Sequence, residues 1–295
     1  MTSQGVTGRG DEGATGRPGD GETGRKSPDR PVAPSPSPPV SPSPRLPFSC
    51  SLISDIPVAN LTEDEAVVAI DKMISEGGSH YAAVVNAAKI VAATRDDRLK
   101  QVLLEADMVT ADGMSVVWAS RLLGQPLKQR VTGIDLFERL IGHAARRGWS
   151  VYFLGARDES VRGTVERFKS EHPALKVAGY HNGFFAASET VAIAEAIWES
   201  AADLLFVAMG SPAQEKWIAS QLARTGVRFA LGVGGSFDHI SGLAVRAPQW
   251  MQRAGLEWLY RFAHEPLRLW KRYLIGNLAF VWLIAKQLAS RSRLR

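Results

Sequence analysis

Apolar residues are scattered through the first 49 positions without any period. Gly, Pro, Ser and charge dominate there, and Pro31 to Pro39 is a polyproline-like run. Residues 1–51 are therefore expected to form a disordered Gly/Pro/Ser-rich tail. From about residue 52 the pattern changes. Thr62-Glu-Asp-Glu65 is a capping box, and Ala66, Val67, Ala69, Ile70, Met73 and Ile74 continue at helical spacing. Short apolar runs without polar alternation follow at Tyr81–Val85, Met108–Thr110, Ser150–Leu154, 175–180, 203–208 and 228–233. Such runs read as strands covered on both faces. Helical spacing between them predicts helices near 88–95, 98–106, 114–123, 134–147, 158–171, 188–200 and 213–225. This alternation predicts an α/β fold over 52–245, a mostly parallel Rossmann-like sheet flanked by helices. After residue 246 the rhythm is helical only, which predicts a basic amphipathic appendage over 246–295.

Open parallel sheets bind ligands beyond the carboxyl ends of their strands. The strand ends here carry Asn86, Asp112-Gly113, Gly155, Gly210-Ser211 and Gly234-Gly235. Asp112 reads either as a general base for an attacking hydroxyl or as a turn or N-cap aspartate for the helix starting near Met114. Arg130 either binds phosphate oxygens bidentately or is a surface arginine, solvated or paired with Asp135. Gln214 either contacts a sugar hydroxyl or phosphate or belongs to a capped helix start without ligand. On the first of these readings Glu215 and Lys216 are solvated first-turn residues. Gly232 to Asp238 is either a close-approach loop, with Asp238 accepting from a ribose or sugar hydroxyl, or a plain tight turn.

Charge is distributed unevenly along the chain. The total is +5, yet residues 246–295 hold 10 basic and 2 acidic groups, and residues 50–245 hold 19 and 23. An anionic partner at the C-terminal end follows. Trp250, Trp258, Tyr260, Trp270 and Trp282 lie among those cations, which favours a lipid surface over nucleic acid. Arg261, Arg268 and Lys271 fall on these helices and are candidates either to bind a diphosphate over the strand ends or to form a solvated cationic face. The apolar stretch from Tyr273 to Ala285 is shorter than the ~20 residues that span a bilayer, so an interfacial position is expected. The apolar patches leave a homo-oligomer open as well. No secretory signal is evident, and the single Cys50 is compatible with the cytoplasm. Neither an Asp-x-Asp pair nor a ligand-like histidine spacing occurs, so no metal site is expected. No G-x-G-x-x-G follows a strand, which argues against a dinucleotide dehydrogenase.

Several of these segments together resemble the WecG/TagA/CpsF glycosyltransferases: Val85 to Lys89, Ala111 to Gly113, Arg130 to Asp135, Val207 to Trp217, Gly232 to Asp238 and Arg246 to Arg261. The resemblance covers about residues 52–285. It implies an inverting, metal-independent transfer of a sugar, N-acetylmannosamine or a related hexose, from a UDP-sugar. The acceptor implied is a polyprenyl-diphosphate-linked sugar at the cytoplasmic membrane face, on a route to surface glycan. It further implies no cofactor beyond the donor, Asp112 as base, Gln214 at the site, Arg130 as a phosphate ligand, and a peripheral appendage supplying Arg261, Arg268 and Lys271. Two positions depart from the family pattern: Val84 replaces a frequent threonine, and Lys271 replaces a common arginine. A UDP-sugar-binding scaffold without catalysis is the alternative reading.

Overall fold

The computed structural model describes residues 48–248, 250–251, 257–264 and 266–292. The described part opens with an antiparallel hairpin of two four-residue strands, β1 (Cys50–Ile53) and β2 (Ile56–Ala59). Its two-residue turn holds Ser54 and Asp55 at φ 48° and 67°, the left-handed pair that matches strand twist in tight hairpins. The hydrophobic pattern gives no sign of this hairpin, because four residues interrupted by Pro57 carry too little alternation. It also begins at Cys50, inside the stretch expected to be tail.

Helix α1 (Glu63–Glu76) starts at the capping box, with Thr62 accepting from the Glu65 N–H and Glu65 accepting from Thr62 N–H. Strands and helices then alternate. In chain order they are β3 (His80–Val85), α2 (Ala87–Ala93), α3 (Asp97–Glu105), β4 (Met108–Ala111), α4 (Met114–Leu122), α5 (Gly133–Arg147), β5 (Ser150–Gly155) and α6 (Asp158–Glu171). Next come β6 (Lys176–His181), α7 (Thr190–Glu199), β7 (Leu204–Ala208), α8 (Ala213–Thr225), β8 (Phe229–Gly232) and the short α9 (Ser236–Ile240). The six strands β3 to β8 form one sheet in the order β4-β3-β8-β7-β5-β6, parallel at every pairing.

The strand period of two divides the interior into two layers. Tyr81, Ala83, Val85, Leu205 and Val207 face a layer built with α2, α3, α4, α7 and α8. Ala82, Val84, Leu204, Phe206 and Phe229 face the other, built with α1, α5, α6 and α9. Phe137 of α5 lies at the centre of that second layer. Its ring centroid is 4.5 Å from Phe206, 5.1 Å from Phe168 and 5.7 Å from Phe237, distances at which aromatic pairs attract beyond simple burial.

Two helices close the described chain, α10 (Glu257–His264) and α11 (Pro266–Ser292). Helix α11 packs along α2, burying Phe280 and Ile284. The apolar stretch expected at a membrane interface therefore devotes one face to the protein core. Gln287, nearer the C-terminal end of α11, accepts from Ser54 N–H at 2.9 Å and donates to the Leu52 carbonyl at 2.9 Å. One amide thus locks the hairpin to the final helix. Among the described residues no helix is long and apolar enough to cross a membrane.

The phenylalanine cluster generates a stability test. Phe137→Ala should cost about 3–5 kcal/mol through lost burial and a residual cavity, seen as a lower urea midpoint with an unchanged slope. Phe137→Leu should cost clearly less. A loss under about 1 kcal/mol for the alanine variant would contradict tight packing at this position.

Candidate active site

The loops after β5 and β7 leave neighbouring strands toward opposite faces. Helix α6 joins the layer of α5, whereas α8 joins the layer of α2. Such a divergence opens a crevice at the carboxyl ends of the strands. Gly155, at φ 132°, is needed there, since a Cβ would lie 2.4 Å from the Ala208 carbonyl oxygen. Ala156 N–H donates to that same carbonyl at 2.8 Å. Gly210 and Gly234 sit at φ 75° and 58°, and a Cβ on either would meet nothing within 4 Å. Gly235 has the same open surroundings, and Ser211 is exposed. These positions border open space. From β4 to β5 the row of strand ends runs roughly 19 Å at the usual interstrand spacing, long enough for an extended sugar nucleotide.

Asp112 lies just beyond β4 and is half-buried. Its N–H donates to the Val85 carbonyl at 2.9 Å, which ties it to the end of β3. The residue capping α4 is Gly113, with no side-chain cap, so Asp112 is not the N-cap that one reading of the sequence made it. A Cβ on Gly113 would stand 3.5 Å from the Asn86 Cβ, so those two positions touch. Asn86 caps α2, accepting from Lys89 N–H at 3.0 Å. Val131 N–H donates to the Ala111 carbonyl at 2.9 Å, which brings the Arg130 loop to the same strand end. Asn86, Asp112, Gly113 and Arg130 therefore converge. Val84 points away from this convergence, toward the start of α5: a Cβ at Gly133 would be 3.5 Å from its Cγ2.

A second group of charges flanks Arg130. Its guanidinium stands 3.8 Å from the Glu257 carboxylate of α10, and Arg246 stands 3.7 Å from the other oxygen of that carboxylate. Asp135 accepts from Arg246 at 2.7 Å and from its own N-cap, Thr132, at 2.6 Å. Burial disfavours the charged form of Arg246, but Asp135, Glu257 and Glu138 outweigh it and hold the guanidinium more firmly protonated than in water. This arrangement joins the loop before α5 to the C-terminal segment. Arg246 and Glu257 lie in the segment Arg246 to Arg261 that carries the family resemblance, but their pairing with Asp135 and Arg130 was not foreseen, because contacts across more than a hundred residues leave no local pattern.

The helix start at Gln214 corrects one expectation. Glu215 is only 2% exposed and bonds Lys89 Nζ at 2.6 Å, and Lys216 bonds Asp96 at 2.5 Å. Glu215 is therefore not a solvated first-turn residue, whereas Lys216 stays partly exposed while it pairs with Asp96. Gln214 is equally buried, with Oε1 accepting from Gly234 N–H and Nε2 donating to Glu215, both at 2.9 Å. Asp238 accepts from the buried Ser160 hydroxyl at 2.5 Å, which anchors α9 to α6. Arg261 lies on α10, and Arg268 and Lys271 lie on α11; their side chains fall outside the described residues. Among the described residues no group of three or more His, Cys, Asp or Glu could hold a metal ion.

Comparison with known proteins gives the family. The family model described as the glycosyl transferase WecG/TagA/CpsF family matches residues 51–294. A Bacillus subtilis (strain 168) protein named N-acetylglucosaminyldiphosphoundecaprenol N-acetyl-beta-D-mannosaminyltransferase is 34% identical over 223 residues, 75% of this chain and 86% of that protein. A protein of the same name from Bacillus spizizenii (strain ATCC 23059 / NRRL B-14472 / W23) is 38% identical over 182 residues, 62% of this chain and 70% of that protein. With a family-model match over residues 51–294 and a relative 34% identical across 86% of its own length, the chain belongs to the WecG/TagA/CpsF family of glycosyltransferases.

Proposed function

We propose that this enzyme transfers N-acetylmannosamine, or a related hexose, from a UDP-sugar to a polyprenyl-diphosphate-linked N-acetylglucosamine. The names of the two Bacillus relatives support the sugar and the acceptor. The observation that carries the chemistry is the half-buried Asp112 at the end of β4, set beside Asn86, Gly113 and the Arg130 loop. Asp112 takes the proton from an acceptor hydroxyl as its oxygen attacks the anomeric carbon. The bond from that carbon to the UDP β-phosphate breaks on the opposite side, so the anomeric configuration inverts and UDP leaves with the bonding electron pair. Arg130, the C-terminal cations Arg261, Arg268 and Lys271, and backbone N–H groups of the loops at Gly155, Gly210 and Gly234 meet the leaving charge. The mechanism thus needs neither metal nor cofactor.

A lipid-linked acceptor requires the protein to work at the cytoplasmic membrane surface. Helix α11 supports this reading on the face away from α2. There Leu278 (64% exposed), Val281 (64%) and Trp282 (63%) form a stripe at helical spacing, and Lys286 lies 5.5 Å over the Trp282 ring. An apolar stripe edged by cations suits the boundary between headgroups and acyl chains.

Two outcomes follow. With UDP-N-acetylmannosamine and a short-chain lipid-diphosphate N-acetylglucosamine, the full-length protein should turn over, and Asp112→Asn should lower kcat by about 10²- to 10⁴-fold with UDP affinity unchanged. Full activity in that variant would remove Asp112 from the mechanism, and UDP binding without turnover on any such acceptor would favour a non-catalytic scaffold. Separately, Val281→Ser with Trp282→Ser should release the protein from anionic vesicles in a sedimentation assay while leaving its melting temperature nearly unchanged. Undiminished vesicle binding would exclude this stripe as the contact.

A further inference from the structure

Beneath the strand ends lies a charged cluster that the proposed chemistry does not use. Lys89, on α2, is 9% exposed. Its ammonium donates to the Val84 carbonyl at 2.5 Å and to Glu215 Oε1 at 2.6 Å. The same Oε1 accepts from Gln214 Nε2, while Glu215 Oε2 is buried with no hydrogen-bond partner among the described residues. Both contacts therefore fall on a single carboxylate oxygen. Gln214 Oε1, at the other end of the amide, holds Gly234 N–H. Gly232 makes room for this arrangement, since a Cβ there would lie 2.5 Å from Gln214 Nε2.

An amide side chain can be placed either way round in a cavity of its shape; hydrogen bonding decides. A carboxylate oxygen paired with an ammonium accepts, so Glu215 Oε1, already facing Lys89 Nζ, fixes which end of Gln214 faces it. We infer that Lys89 and Glu215 are positioning residues for the crevice: they orient the Gln214 amide, which in turn holds the loop at Gly234 in its ligand-ready shape. The link to the ligand rests on the reading that this loop borders the UDP site, whereas the link to the loop does not.

Two charge-free replacements separate orientation from mere burial. In Lys89→Met/Glu215→Gln, an acceptor oxygen remains for Gln214 Nε2. In Lys89→Met/Glu215→Met, the volume is similar but the acceptor is gone. Replacing a buried ion pair by neutral groups is often tolerated, so both proteins should fold. The Gly234 amide, followed by NMR hydrogen exchange, should exchange at least tenfold faster in the Met/Met protein than in wild type. In Met/Gln it should stay within about threefold of wild type, and amides in the middle of β7 should change in neither. UDP affinity by calorimetry should follow the same order. Gly232→Ala, which crowds Gln214 without touching a charge, should also free the Gly234 amide and serves if a double variant does not fold. Equal Gly234 exchange in Met/Met, Met/Gln and wild type would overturn the inference. Faster exchange with no UDP binding even in wild type would instead refute the nucleotide reading and leave the orienting role standing.

Discussion

A lysine and a glutamate sealed under the strand ends form the constraint on which the rest of the crevice rests. Removing two charges from water costs several kcal/mol per ion before their attraction is counted, so such a pair is a poor way to gain stability. What it supplies here is registration. Lys89 reaches the end of β3 through the Val84 carbonyl, Glu215 belongs to the first turn of α8, and Gln214 grips the loop after β8. Three strand ends that lie side by side in the sheet, β3, β8 and β7, thereby hold fixed positions relative to one another. Asp112 is tied into the same frame from the far side, through its backbone bond to Val85.

The regular part of the fold was legible because local pattern and tertiary role agree. Helices α6 and α8 occupy the stretches their apolar spacing marks out, 158–171 and 213–225, and the capping box at Thr62 opens α1. Six apolar runs became six parallel strands because a strand covered on both faces needs no alternation. The hairpin β1–β2 was not legible, since its strands are too short to show a pattern and its support comes from α4 and from Gln287, which lies 233 residues beyond Ser54 in the chain.

The site was legible only in part. Glycines and polar residues at strand ends mark where a crevice will be, so Asp112, Asn86, Gly155, Gly210 and Gly234 could be named from position alone. Charges joined across the fold could not. Glu215 reads as an ordinary acid stabilising a helix N-terminus, and only the fold, which brings Lys89 of α2 to the start of α8, turns it inward. The Arg130–Glu257–Arg246 group escapes for the same reason, as its members lie on a loop, a helix and a connecting segment far apart in sequence. The C-terminal helix has two apolar faces where sequence suggests one. Phe280 and Ile284 belong to the core, and Leu278, Val281 and Trp282 remain for another surface.

On the function proposed, the carboxyl ends of the strands receive the sugar nucleotide, with Asp112 at the reacting end. Hydrogen–deuterium exchange of the whole protein, mapped by mass spectrometry with and without UDP, tests it most directly. Slowed exchange is expected in peptides covering 110–116, 208–214 and 232–238. The opposite ends of the strands contain a hollow of about 260 Å³ lined by Trp198, Asp203, Thr225 and Arg228. Protection confined to that hollow, with the strand-end loops unchanged, would contradict the account.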